Sequence, residues 1–160
     1  MENKYKELID EGIFEINQGN FEKAIDLITK SIELKNDWEI SYFYRAVANQ
    51  ASNNLNDAIL DYTKALKLNP KMTDAYYNRA KIMLEQKDCS QSIDKIIEDL
   101  NKALELDENF IDALFAAAAA QKKKGDYHKS LEYLERLLQL EPEAVHARAL
   151  KKLLLQKYIV

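Results

Sequence analysis

Much of this 160-residue chain repeats itself at a spacing of 34 residues. Shifting it by that interval lays Ala24 on Ala58, Leu34 on Leu68, Leu8 on Tyr42 and Tyr42 on Tyr76. The unit is clearest from Asn54 to Ala80. Ala58, Ile59, Tyr62, Ala65, Leu66 and Leu68 form an apolar stripe at three-and-four spacing, the mark of one helix face. Asn69-Pro70 ends that helix, since proline lacks the N–H and restricts the residue before it. Thr73 or Asp74 can cap the next helix, whose apolar face starts at Ala75, Tyr76 and Tyr77. Pro70 and Pro142 lie 72 residues apart, one interval of 34 and one of 38. The three glycines also fall at landmarks: Gly12 inside a first helix, Gly19 and Gly125 in hairpin turns. A two-helix period of this length predicts a solenoid in which each hairpin buries its face on the next.

With small residues at Ala46, Ala58 and Ala65, Tyr62 between them and Pro70 after them, the chain resembles the tetratricopeptide repeat (TPR) family. The pattern returns as Ala118, Ser130, Leu134 and Pro142, with Leu137 in the last small slot. The resemblance spans about residues 5 to 144. It implies an all-α, right-handed superhelix of four helical hairpins plus a C-terminal capping helix, in one domain over residues 1–160. The repeats are then 5–38, 39–72, 73–110 and 111–144, with the cap at 145–160. Repeat three is four residues too long. Asp88 aligns with Asn20 and Asn54 as N-cap, Gln91 offers a capping box, and Ser92 takes the slot of Ala24. Since four residues are roughly one turn, the expectation is a lengthened helix from about Cys89 to Leu106; the alternative leaves Cys89 to Gln91 in a longer turn. The first-helix landmarks of the family are replaced here by Arg45 and Arg79, and by Glu15, Asn49, Met83 and Gln121. Those positions are read as partly exposed and tolerant.

Composition narrows the function classes. The N-terminus is charged and lacks an apolar core, so no signal peptide is read. No run of about 18 apolar residues exists to span a membrane. A single cysteine, Cys89, fits a reducing, cytoplasmic setting. The net charge of −4 argues against nucleic acid as partner. That charge is uneven: residues 145–160 hold Arg148, Lys151, Lys152 and Lys157 with no acid, which leaves −8 for the rest. Neither His128, placed in a hairpin turn, nor His146 has metal-ligand spacing around it, and no glycine-rich phosphate loop occurs. The chain reads as no enzyme, with no cofactor and no metal.

The resemblance implies which first-helix side chains line a concave groove: Ile9, Ile13, Phe43, Val47, Tyr77, Lys81, Phe115, Ala119 and Lys122 among them, with Gln50, Asp74 and Asp112 in the same registers. Phe43, Tyr77 and Phe115 fall at matching places, an aromatic row suited to an apolar peptide segment or a partner helix. The subclass that grips the acidic C-terminal tail of heat-shock chaperones needs cations and asparagines there. This sequence has Ile9 and Ile13, or Phe43 and Val47, and Asp74 where a cation is required, so that partner is excluded. The terminal helix is apolar more broadly than one buried face needs, at Leu150, Leu153, Leu154, Leu155, Tyr158, Ile159 and Val160. Its alternative reading is a homodimer through Leu150, Leu154 and Tyr158; contact with an anionic membrane stands behind that.

Overall fold

The computed structural model describes residues 3–158, which hold nine α-helices, one short 3-10 helix and no strand. Helices α1 (Lys4–Asn17) and α2 (Phe21–Leu34) pack together, as do α3 (Glu39–Ala51) and α4 (Leu55–Leu68), and α7 (Ile111–Lys124) and α8 (Tyr127–Leu140); α5 (Thr73–Glu85) and α6 (Ile93–Leu106) lie between them in the chain. The last, α9, spans Val145–Lys157. Helices begin at Glu39, Thr73, Ile111 and Val145, where the period places the repeat boundaries. The chain falls into two compact units that part within α5, after Ile82.

In the first unit Ala46, Ala58, Tyr62, Leu66, Ala75 and Ile82 form a buried cluster. Methyl side chains at 46, 58 and 75 bring three helix backbones close around the Tyr62 ring. Burial raises the pKa of the Tyr62 phenol, whose hydroxyl donates to Gln50 Oε1 at 2.9 Å. Helices α1 and α2 approach closely at Gly12, where an added Cβ would stand 2.6 Å from Ile28 Cγ1. In the second unit Leu100, Leu114, Leu134 and Leu154 are fully buried. Four of the five consecutive alanines of α7 are buried with them, and Ser130 Oγ donates to the Ala118 carbonyl at 2.7 Å.

Three hairpins turn in the same way. Gly19, Asn53 and Gly125 adopt left-handed backbone, and the next residue donates back to the carbonyl five residues earlier: Asn20 to Glu15, Asn54 to Asn49 and Asp126 to Gln121. This pattern, with its companion bonds from Gly19 to Ile16, Asn53 to Gln50 and Gly125 to Lys122, satisfies the last helical carbonyls. An L-residue resists that backbone by about 1 kcal/mol. Gly125→Ala is therefore expected to lose about 1 kcal/mol in urea unfolding. Gln91→Ala, at the matching place of repeat three, should be neutral, because that turn has no left-handed residue.

Repeat three departs from the sequence expectation. The 3-10 helix spans Ser90–Ser92 and α6 starts only at Ile93, so the second helix is not lengthened. Its 14 residues equal those of α2, α4 and α8. The insertion lies ahead of the helix, Ser92 is the N-cap, and fully buried Ile96 fills the slot of Ala58. Asp88 bonds Ser90 N at 3.1 Å and Ser90 Oγ at 2.6 Å instead of forming a capping box, and these bonds lower its pKa. A longer turn costs less than a helix projecting one turn beyond its neighbours, because it disturbs no packed face. Asn20 and Asn54 do stand at N-cap positions, but only Asp126 caps with its side chain, accepting from Lys129 N at 3.1 Å.

The polar first-helix landmarks are not tolerant exposed positions. Glu15, Asn49, Arg79 and Gln121 are buried. Arg45 forms a two-pronged ion pair with Asp61, Nε to Oδ2 and Nη2 to Oδ1 both at 2.8 Å, and Nη1 reaches Thr29 Oγ1 at 3.1 Å. Arg79 repeats the last contact with Thr63 at 2.9 Å, one period on. Glu15 accepts from Lys23 at 2.6 Å and from Asn20 at 2.7 Å, which lowers its pKa.

Candidate partner-binding surface

Of the nine side chains assigned to the groove, Ile9 is only 1% exposed, so it offers no surface. Ile13, Phe43, Val47, Tyr77 and Lys81, all in the first unit, are half-buried. Phe43 and Val47 pack on the buried cluster, and the Phe43 ring meets Tyr62 edge-on at 5.7 Å. Phe43 is thus as much core wall as surface. Phe115, Ala119 and Lys122, in the second unit, are half-buried too.

Phe115 borders an apolar pocket of about 270 Å³. The first residue of α7, Ile111, and Leu137 of α8 line it with Phe115, and Ala144 to Ala147 at the start of α9 close the other side. Asp112 and Glu141 stand at its rim. Sequence reasoning placed Phe115 and Asp112 but missed Glu141, Val145 and His146. The signal was available, since Val145 lies 34 residues after Ile111 and starts α9 as Ile111 starts α7.

The residues assigned to self-association divide. Leu154 is fully buried and Leu150 half-buried, so neither presents a clear outer face. This corrects the expectation for Leu154: α9 packs that side inward against its own unit. Tyr158 is exposed, yet its ring stacks on Tyr127 at 4.2 Å. Ile159 and Val160 lie outside the described residues. Two cations of α9 are engaged locally, Arg148 with Glu143 at 2.9 Å and Lys151 with Glu135 at 3.2 Å.

Elsewhere, a cleft of about 400 Å³ beside the Arg45–Asp61 pair is lined also by Ile25, Asn49 and Leu60. Cys89 is buried with Lys123 Nζ at 3.6 Å from its sulfur, a neighbour the sequence order does not reveal. His128 belongs to the first turn of α8 rather than to the hairpin turn. Among the described residues no group of His, Cys, Asp and Glu is placed to hold a metal ion, and no helix is long and apolar enough to cross a membrane.

Residues 51–87 match a family described as TPR repeat, and residues 111–159 match the Fis1 C-terminal tetratricopeptide repeat. No curated protein matches the sequence. Among solved structures, MamA from Desulfovibrio magneticus superposes with a TM-score of 0.87 at 15% identity, over 98% of this chain and 87% of that one. PilF of Pseudomonas aeruginosa gives 0.80 at 19% identity, over 98% and 69%. The first TPR of Spaghetti (RPAP3), bound to the HSP90 peptide SRMEEVD, gives 0.71 at 24% identity, over 77% and 94%. At these identities the likeness is one of fold.

Proposed function

Because the chain is a tetratricopeptide repeat protein, we propose that it is a protein-binding module, without catalytic chemistry of its own, that takes an apolar segment of its partner against the face of α7 carrying Phe115. The observation that carries this reading is the apolar pocket beside Phe115. A half-buried aromatic ring beside a preformed hollow needs little ordering on the protein's side, so the partner's segment bears most of the entropy cost. A contact of this size gives an affinity of about a micromolar.

The acidic tail of a chaperone is a poor occupant. The pocket beside Phe115 is bordered by Asp112 and Glu141, so an acidic peptide would meet like charge there. A cytoplasmic setting belongs to the same proposal, in keeping with the free thiol of Cys89. Self-association through α9 is the weaker alternative. With Leu154 buried, a two-fold contact would bring the lysines of two copies together across little apolar area. Light scattering at tens of micromolar should report a monomer; a dimer lost on Leu155→Lys would restore the alternative.

The test of this surface is a paired pulldown from an extract of the source cell, with the native chain and a Phe115→Lys variant matched by circular dichroism. Proteins held by the first should be lost from the second, with binding weakened at least about tenfold, as for an aromatic anchor. Equal catches from two folded baits would remove the groove. Phe43 is left unchanged because its ring supports Tyr62.

A further inference from the structure

Building on that reading, we infer that the segment entering the Phe115 pocket is basic as well as apolar: an aliphatic or aromatic side chain with lysine or arginine beside it. The floor of the pocket is hydrocarbon, from Ile111, Phe115, Leu137 and Ala147, and its volume of about 270 Å³ suits one large side chain. The rim is acidic. Asp112 and Glu141 are both exposed, and neither carboxylate has a cation or hydrogen-bond donor among the described residues. The nearby cations of α9 are turned to other acids, Arg148 to Glu143 and Lys151 to Glu135. His146 is the remaining polar group at the rim.

The two carboxylates differ in what the helices gain from them. Asp112 sits in the first turn of α7, where a negative charge suits the helix dipole, so its presence has a structural reason. Glu141 stands at the C-terminal end of α8, where a negative charge is unfavourable, and no local cation offsets it. A carboxylate placed against the local field, unpaired and beside an apolar hollow, is complementary to a cation arriving with a ligand. The first unit carries the same spacing of acid and aromatic, Asp74 and Tyr77 in the first turns of α5.

The probe is a displayed library of random peptides selected on the full chain. Enriched peptides should carry lysine or arginine within two residues of a leucine, isoleucine, phenylalanine or methionine. Their binding should fall about tenfold on Asp112→Asn/Glu141→Gln, with a flatter dependence on salt, and should be lost on Phe115→Lys. Phe115→Ala serves as a second variant if the lysine disturbs folding. Peptides that need Phe115 but show no basic preference, or that bind the double variant equally, overturn the basic partner and leave the groove standing. Peptides indifferent to Phe115, or no enrichment at all, overturn both.

Discussion

Asp61→Ala is expected to destabilise the first unit by about 3 kcal/mol. Asp61 holds both prongs of the Arg45 guanidinium at 2.8 Å and accepts from Asn49 Nδ2 at 3.3 Å. Its side chain is 9% exposed and that of Arg45 22%, so neither group can simply return to water. The hydrogen bonds that Arg45 donates to Asp61 raise its pKa, and even without them a guanidinium does not lose its proton, so the arginine stays charged when its partner is removed. Removing one member of a buried pair costs about 3–5 kcal/mol, and the adjoining cleft, which gives water a route to the guanidinium, sets the expectation at the lower end. Replacing both members, as Arg45→Met/Asp61→Leu, removes the stranded charge and should be neutral within about 1 kcal/mol. Urea unfolding followed by circular dichroism gives all three values. A loss below about 1 kcal/mol for Asp61→Ala would make the pair an ordinary surface bridge.

That pair marks where the sequence was readable and where it was not. The starts of α3, α5, α7 and α9 lie at residues set apart by intervals of 34, 38 and 34, because a helix boundary follows local signals: the end of an apolar stripe, proline, a turn residue. Arg45 and Asp61 were each visible, but not their meeting. They lie 16 residues apart on different helices, and a polar residue in an apolar slot reads as exposure unless its partner is known. Repeat three failed for a different reason. An insertion has no period, and Asp88 had the right chemistry for a cap at the wrong distance from Ile96; counting back from Ala103 would have made Ser92 the cap, as it is. Eight of the nine first-helix side chains read in one register are half-buried. Ile9 shared that register but not the exposure. The Phe115 pocket was legible in part: the 34-residue spacing pointed to Val145, whereas Glu141 and Ala144 enter it through the turn before α9, whose path no spacing specifies.

Gly12→Ala tests the other tight joint of the first unit, and its expected outcome reverses with context. Alanine in a helix interior normally gains about 1 kcal/mol over glycine. At this position the new methyl would stand 2.6 Å from Ile28 Cγ1 and 3.1 Å from Cδ1. Ile28 is fully buried and cannot swing away, so α1 and α2 must separate. Overpacking of that kind costs about 1–3 kcal/mol, more than the propensity returns, and the net change should be a loss of about 1–2 kcal/mol. Ile28→Ala, costing about 2–5 kcal/mol alone, removes the obstructing atoms. In that background Gly12→Ala should stabilise, because the methyl then fills space left by the isoleucine and the helix keeps its gain. A double-mutant cycle by urea unfolding reads the reversal directly. If Gly12→Ala destabilises equally with and without Ile28, the glycine is needed for something other than the close approach of the two helices; if it stabilises in both, the joint is looser than a 2.6 Å contact permits.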